Sequence, residues 1–235
     1  MAPAVATRAE HDRLRAELLK AEKALTHQRD EVARQRRLLP WVRLEKDYAL
    51  QDADGSPVLL SGLFKDGKQD LVVYHMMFDP EWDGACPLCC FWTEGYDTYA
   101  PFFEDKFNFA VVAKAPHDRL KALMAQKGWT LPMYSSAGSD FNADMRVQDT
   151  FMMSGGTKVP LTQVSGVSVF RKEGDVVYHT YTTKDRGVEV FTPIWAFLDI
   201  LPNGREGWQP KHKHMYKKRG YHPENGAIQA EAMKD

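Results

Sequence analysis

The stretch Leu71-Val-Val-Tyr-His-Met-Met-Phe78 decides the fold together with Cys86-Pro-Leu-Cys89, which follows it after a short loop. The first segment is a continuous apolar run, which is typical of a strand covered on both faces of a sheet. In the second segment Pro87 suits the first position of a helix, because the amide that proline lacks has no intrahelical partner there. We therefore expect a buried strand, a loop over residues 79–85 and a helix that begins at the cysteines.

Strands and helices alternate on both sides of this core. We predict an aromatic-rich helix to about Lys106, a second buried strand over 107–113 and a helix over 116–127. The segments 166–170 and 176–181 alternate and are predicted to form a hairpin. Helical crossovers require parallel strands, whereas a hairpin adds antiparallel ones. The sequence thus predicts an α/β fold with a mixed β-sheet and helices on both faces.

The remaining segments of this region are less regular. A short strand is expected over 131–135 and a final helix over 188–198. Residues 136–163 have no clear period and are predicted to be irregular.

The first 40 residues are predicted to form a long amphipathic helix over 7–38. Thr7 and Glu10 fit a capping box, and Pro40 ends the helix. The apolar stripe is formed by Leu14, Leu18, Ala21, Leu25, Val32 and Leu39. This stripe packs either on the helix's own domain or on a second copy of the chain, which would make a homodimer through this helix. We divide the chain into the helix 1–40, an α/β domain 41–202 and a polar C-terminal tail 203–235.

The composition narrows the class of protein. Apolar residues make up 43% and charged residues 27%, as is ordinary for a globular chain. The net charge of −1 favours neither nucleic acid nor an anionic membrane as a partner. No apolar run is long enough to cross a bilayer, and we expect no secretory signal. The 3 cysteines are too few for a disulfide scaffold, so we expect a cytoplasmic location.

The cysteines are the candidate catalytic residues. At a helix amino end, unpaired amides and the helix dipole favour a thiolate, which makes Cys86 the expected nucleophile. Cys89 lies one turn further and is expected to resolve a mixed disulfide. Cys90 should point elsewhere and serve the structure. This predicts a thiol–disulfide oxidoreductase without a bound cofactor, which acts on a protein or small-molecule disulfide, or a hydroperoxide, and is recycled by a thiol reductant.

Two other interpretations of the cysteines stay open. One is a binding or scaffold protein whose cysteines are small buried apolar residues. The other is a metal-binding module, in which His75 would have to supply a further ligand; a hydrogen-bonded core histidine is the alternative for that residue.

Several stretches are distinctive when they occur together: Glu22-Lys-Ala-Leu-Thr26 with Arg29-Asp30, Arg37-Leu-Leu-Pro-Trp41, Tyr74-His-Met-Met-Phe78, Cys86-Pro-Leu-Cys89 with Phe91-Trp92, Gly138-Ser-Asp-Phe-Asn142, Gly166-Val-Ser-Val-Phe170, and His179-Thr-Tyr181 with Arg186-Gly187. Over about residues 10–202 the chain thereby resembles a bacterial family with a thioredoxin-like fold that is catalogued as domain of unknown function 899. Residues 41–90 are similar to the opening of a peroxiredoxin- or thioredoxin-type domain. The resemblance implies a thioredoxin-like fold and no particular activity.

The chain differs from active thioredoxins and peroxiredoxins at two places. Thioredoxins carry a cis-proline before the first hairpin strand, where this chain has Ser165-Gly166. Peroxiredoxins carry a threonine or serine and a proline at the positions of Asp83 and Asp79. A carboxylate there repels a thiolate and a peroxide, which disfavours a standard peroxidase.

Four further residues are expected to support the site. Pro87 starts the helix, and Trp82 flanks the cysteines and would shape an apolar groove. The last hairpin strand should run back towards the cysteine end of the sheet and bring Tyr181 and Arg186 near Cys86. There Arg186 would stabilise a thiolate or bind an anionic substrate; a surface position is its alternative.

Overall fold

The computed structural model describes residues 5–154 and 157–208, with the side chains of 150–160 left out. The chain divides between Pro40 and Trp41 into two compact units. Residues 209–235, most of the predicted tail, lie outside the described residues.

The first unit contains one helix, α1, over Arg8–Arg37. The Glu10 N–H donates to the Thr7 Oγ1 at 3.2 Å, so the hydroxyl half of the predicted capping box is present. Arg34, Arg36 and Arg37 lie in the last turn, where positive charge stabilises the helix dipole. The predicted long helix is confirmed, and its packing partner stays a prediction.

The second unit contains the β-strands. They are β1 Val42–Arg43, β2 Ala49–Gln51, β3 Pro57–Leu59, β4 Asp70–Met76, β5 Asn108–Ala113, β6 Met133–Ser135, β7 Gln148–Ser154, β8 Thr157–Gln163, β9 Gly166–Glu173 and β10 Val176–Lys184. Among the described residues, one sheet has the order β1-β10-β9-β4-β5-β6-β2-β3, and β7 pairs with β8 in a second sheet.

The main sheet is mixed, as predicted. The central strand β4 pairs with β5 in parallel and with β9 in the antiparallel direction. The pair β5 and β6 is parallel, and β9 and β10 form the predicted antiparallel hairpin. Because parallel neighbours need crossovers, the connections from β4 to β5 and from β5 to β6 contain helices.

The helices of this unit are α2 Pro87–Glu104, α3 His117–Lys127, α4 Phe141–Asp144 and α5 Ile194–Asp199, with 3-10 helices over Leu60–Leu63 and Asp185–Phe191. Two predictions were wrong here. The final helix is split in two, because Pro193 cannot continue a helix that precedes it. The stretch 136–163, predicted to be irregular, contains α4, β7 and β8.

The two faces of the sheet bury different sets of residues, because side chains alternate along each strand. Tyr74 and Met76 point to one face, where Cys86, Cys89 and residues of α2 and α3 pack on them; we call this the thiol face. Val73 and His75 point to the opposite face, where Phe141 of α4 and Phe170 pack; we call this the histidine face. The predicted fold class, an α/β fold with helices on both faces, is confirmed, with the longer helices on the thiol face.

Candidate functional site

Cys86 is the N-cap residue of α2, and Pro87 is the first residue of that helix. The Cys86 N–H donates to the Met77 carbonyl oxygen at 2.9 Å, and the Met77 N–H donates to Cys89 Sγ at 3.4 Å. The residue that follows β4 therefore holds both cysteines of the motif. This places the thiol pair at the carboxyl end of a central strand, where α/β sheets collect reactive groups.

The two thiols of the pair differ in acidity. A hydrogen bond from the Cys89 side chain lowers the pKa of Cys86, and the N–H groups of Cys89 and Leu88 add to this, while burial opposes it. Burial raises the pKa of Cys89 well above its ordinary value, and the neighbouring Cys86 raises it further. The arrangement therefore stabilises a thiolate on Cys86 with Cys89 as the donor.

All three sulfurs belong to buried residues. Cys86 keeps 5% of its surface exposed, Cys90 3% and Cys89 none. Burial raises the pKa of Cys90 to about 12, so this thiol stays protonated near neutral pH. Of the three cysteines, the one whose pKa is lowered keeps the largest exposed fraction, which is nevertheless small.

Arg119 in α3 binds the loop that leads to the cysteines. Its Nη1 donates to the carbonyl oxygen of Pro80 at 2.7 Å and to that of Asp79 at 3.5 Å. Its Nη2 donates to the carbonyl oxygen of Trp82. The fork of donors on one guanidinium suits this set of acceptors, which a lysine amine would not match in geometry.

The start of the same loop is held by side chains as well. The Gln163 Nε2 donates to the Asp79 Oδ2 at 2.7 Å, and the Phe78 N–H donates to the Gln163 Oε1 at 3.2 Å. The Lys114 Nζ lies 4.0 Å from the Asp79 carboxylate, and the Arg119 guanidinium lies 4.6 Å from the centroid of the Phe78 ring. Sequence analysis did not find Arg119, Gln163 or Lys114, because they lie far along the chain from this loop.

The predicted supporting residues take different positions. Trp82 is half-buried and packs against the apolar cluster that contains the thiols. β10 ends at Lys184, which pairs with Gly166 at the start of β9, and Gly166 also pairs with His75 near the end of β4. The chain that follows β10 therefore begins at the same edge of the sheet as the end of β4. Tyr181 is half-buried in β10. The side chain of Arg186 is 78% exposed and forms an ion pair with Glu189 at 3.2 Å.

Ser165 precedes Gly166, the first residue of β9, which pairs with His75 near the end of β4. No peptide bond is cis within the described ranges. A Cβ atom on Gly166 would lie 2.9 Å from a methyl carbon of Val147 and 3.1 Å from the carbonyl oxygen of Thr183. Close packing at this point therefore requires glycine.

Two buried tyrosines lie beside the thiols. Tyr74 of β4 and Tyr96 of α2 are 0% and 4% exposed, and their rings meet edge to face with centroids 5.1 Å apart. Within the described part of the chain, neither hydroxyl has a hydrogen-bond partner. Sequence analysis did not single out these residues, since a buried aromatic pair has no local signature.

The histidine face carries a chain of polar side chains instead. The Nε2 of His75 lies 2.7 Å from the Ser168 Oγ, which lies 2.7 Å from the Thr182 Oγ1. The latter lies 2.7 Å from the Nε2 of His179. His75 is thus the hydrogen-bonded core histidine that the sequence left as one alternative, and it points away from the cysteines.

Neither a metal site nor a membrane helix is found in the described ranges. Across residues 5–154 and 157–208, no three His, Cys, Asp or Glu side chains are grouped so that they could hold a metal ion. In the same residues, no helix combines the length and the apolar character that are needed to span a bilayer.

Comparison with protein families identifies the class of this chain. Residues 1–221 match the family described as "Bacterial protein of unknown function (DUF899)". The chain belongs to this family, as its motifs indicate. A search of curated proteins finds no match.

Solved structures of similar chain path include peroxiredoxins. A mutant of Xanthomonas campestris peroxiredoxin Q is 16% identical with a TM-score of 0.44, over 64% of this chain and 89% of that one. The peroxidoxin BcpB of Mycobacterium tuberculosis is 17% identical with a TM-score of 0.43, over 65% and 92%. The hypothetical protein SMc02350 of Sinorhizobium meliloti 1021 is 19% identical with a TM-score of 0.37, over 59% and 68%.

Proposed function

We propose that this protein is a thiol–disulfide oxidoreductase of the reducing cytoplasm, with Cys86 as nucleophile and Cys89 as resolving thiol. The observation that carries the proposal is the position of the pair: Cys86 is the N-cap residue of α2, and the Cys89 sulfur, one turn along, accepts a hydrogen bond from the Met77 N–H. The two thiols also differ in acidity. The Cys89 side chain and two backbone N–H groups lower the pKa of Cys86, whereas burial raises that of Cys89. Such an arrangement gives one attacking sulfur and one that stays protonated until it is needed.

The reaction follows from these roles. The Cys86 thiolate attacks a disulfide R–S–S–R′, forms Cys86–S–S–R and releases R′–S⁻. Cys89 then loses its proton to water and attacks the Cys86 sulfur, which forms the Cys86–Cys89 disulfide and releases R–S⁻. Two molecules of a thiol reductant restore the two thiols and leave as their own disulfide. The protein gives two electrons to its substrate and takes two from the reductant.

A disulfide fits the loop before Cys86 better than a hydroperoxide does. Asp79 occupies a position where peroxiredoxins carry proline, and its Oδ2 accepts a hydrogen bond from the Gln163 Nε2. Asp83 is exposed in the same loop. The loop therefore lacks the hydroxyl residue and the proline that peroxiredoxins carry at these positions, which disfavours a standard peroxidase reaction. The substrate we infer is therefore a disulfide in a protein or small molecule.

A scaffold protein with inert thiols is the second candidate, and the burial of all three cysteines favours it. The two candidates differ in one measurable property. An oxidoreductase forms a reversible disulfide between Cys86 and Cys89, whereas a scaffold keeps its thiols unreacted until it unfolds.

Graded oxidation of the purified full chain tests the proposal. The protein is equilibrated with glutathione buffers of increasing potential, free thiols are alkylated in acid, and peptides are read by mass spectrometry. We expect the thiols of Cys86 and Cys89 to be oxidised together to one disulfide. The Cys90 thiol should stay reduced and therefore be found in alkylated form. Cys86→Ser and Cys89→Ser should each abolish the pair, and Cys90→Ala should leave it unchanged. Thiols that remain reduced at every potential in the folded protein would reject the oxidoreductase.

A further inference from the structure

We propose that Tyr74 is a third catalytic residue, whose hydroxyl donates a hydrogen bond to the Cys89 sulfur while that sulfur carries negative charge. The inference rests on the proposed exchange reaction, which it deepens. Nothing in the motif around the cysteines indicates it, because Tyr74 lies in the strand before them.

The position of Tyr74 supports this role. It is fully buried in β4, three residues before Met77, whose N–H already donates to Cys89 Sγ at 3.4 Å. Tyr74 and Cys89 belong to the same buried cluster, and both are 0% exposed. The two side chains interact: burial raises the pKa of Tyr74, and the charge of the neighbouring Cys89 and a hydrogen bond to it raise this pKa further. The hydroxyl of Tyr74 in turn lowers the pKa of Cys89 as a hydrogen-bond donor, against the effect of burial.

The hydroxyl of Tyr74 is also uncommitted. It forms no hydrogen bond of ordinary geometry within the described part of the chain, although the Cys89 sulfur is its neighbour. A buried donor without a partner costs free energy, and phenylalanine would fill the same space without that cost. A hydroxyl in this position is suited to a neighbouring acceptor that gains negative charge only during the reaction.

The exchange reaction provides that acceptor. In the reduced protein Cys89 is a protonated thiol. Once Cys86 forms the mixed disulfide it can no longer carry a charge, so its contribution to the raised pKa of Cys89 is lost. Cys89 then becomes a thiolate inside the cluster, where only nearby donors can replace water. The Met77 N–H and the Tyr74 hydroxyl are the donors that adjoin this sulfur.

The test separates the two steps with 5,5′-dithiobis(2-nitrobenzoic acid) as the disulfide. The first thionitrobenzoate is released when Cys86 attacks, and the second when Cys89 resolves the adduct, so stopped-flow absorbance resolves both. The full chain carries Cys90→Ala to remove the third thiol. In Tyr74→Phe we expect the first release to change less than about twofold. The pH profile of the second should move up by about one unit, since a hydrogen bond to a charged group is lost.

At pH 7 this shift slows the second release by only about threefold, because a more basic thiolate is also more nucleophilic. Tyr96→Phe is the matched control: it removes the neighbouring buried, partnerless hydroxyl, and both phases should stay as they are. An unchanged second phase in Tyr74→Phe, or an equal shift in Tyr96→Phe, would overturn the role of Tyr74 and leave the proposed function standing. A parent protein that releases one equivalent and never a second would overturn both.

Discussion

The two faces of the central strand differ in how their buried polar side chains are connected. Tyr74 and His75 are neighbours in β4, and each is buried, yet they point to different faces. On the histidine face, the Nε2 of His75 enters a continuous chain with Ser168, Thr182 and His179 at 2.7 Å per step, while its Nδ1 has no partner in the described ranges. On the thiol face, the hydroxyls of the two buried tyrosines are without partners in the described ranges.

This contrast separates polar groups that hold the fold from those that are available for chemistry. A chain of hydrogen-bonded side chains stabilises one packing of the core, and a break in it is costly. Unsatisfied donors cost stability in the resting protein, but they can stabilise a charge that appears for a short time. The predictions below test whether the two faces differ in this way.

The largest expected effect concerns pH and the histidine face. Burial lowers the pKa of His75 to about 3, whereas an unfolded histidine has a pKa of about 6.5. Between these values the unfolded chain binds a proton that the native protein does not, so stability falls as the pH falls below about 6.5. From pH 7 to pH 5 we expect a loss of about 2 kcal/mol from this group.

Urea unfolding at several pH values measures this loss. His75→Gln removes the titration, so the slope of stability against pH should flatten by up to one proton, whatever the absolute stability of the variant. A slope that does not change would show that other groups, such as His179, whose pKa burial also lowers, carry the acid sensitivity.

The next effect compares one hydroxyl on each face. Ser168→Ala interrupts the polar chain and leaves the Nε2 of His75 without its partner, which should cost about 1.5 kcal/mol. Tyr96→Phe removes a hydroxyl that has no partner in the described part of the chain, and we expect a change within about 0.5 kcal/mol. Urea unfolding at pH 7 measures both. Equal losses would remove the distinction between the faces.

The smallest effect concerns the donor that Cys89 provides. The pKa of Cys86 is lowered mainly by the Cys89 side chain, so the alkylation rate of Cys86 should fall as the pH drops through a midpoint below that of an ordinary cysteine thiol. Cys89→Ala removes the donor, and we expect the midpoint to rise by about half to one unit. Alkylation of Cys86 by iodoacetamide across pH 5–10 measures the midpoint.

Cys89→Ser is the matched variant, because a serine hydroxyl also donates. Its midpoint should stay near that of the parent protein. If Cys89→Ala and Cys89→Ser have the same midpoint, the side chain at this position is not the donor, and the backbone N–H groups of α2 carry the effect.

The segments that could be predicted from the sequence are those with a strong local pattern. The apolar run 71–78 and the alternation over 166–181 correspond to β4 and to the hairpin of β9 and β10. The stretch 136–163, predicted to be irregular, contains β8 with Pro160 inside it, and proline in a segment argues against a strand. The position of the thiol pair at the start of a helix followed from Pro87.

The surroundings of the thiols could not be predicted in the same way. Arg119, Gln163 and Tyr74 reach the site through pairings between distant parts of the chain, and each has an ordinary local context. In the sequence, Tyr74 in particular cannot be distinguished from the apolar residues of the same buried strand. Which face it points to, and what meets it there, depends on the packing of α2 on the sheet.

The contacts of Arg119 have a consequence for the order of assembly. Its guanidinium supports carbonyl groups that lie 37 to 40 residues earlier in the chain. The loop before Cys86 can therefore take its final path only after β5 and the first turn of α3 are in place. During synthesis the cysteines leave the ribosome well before this arginine does. The sulfurs would therefore meet cellular oxidants first without the support that Arg119 gives to the loop before Cys86.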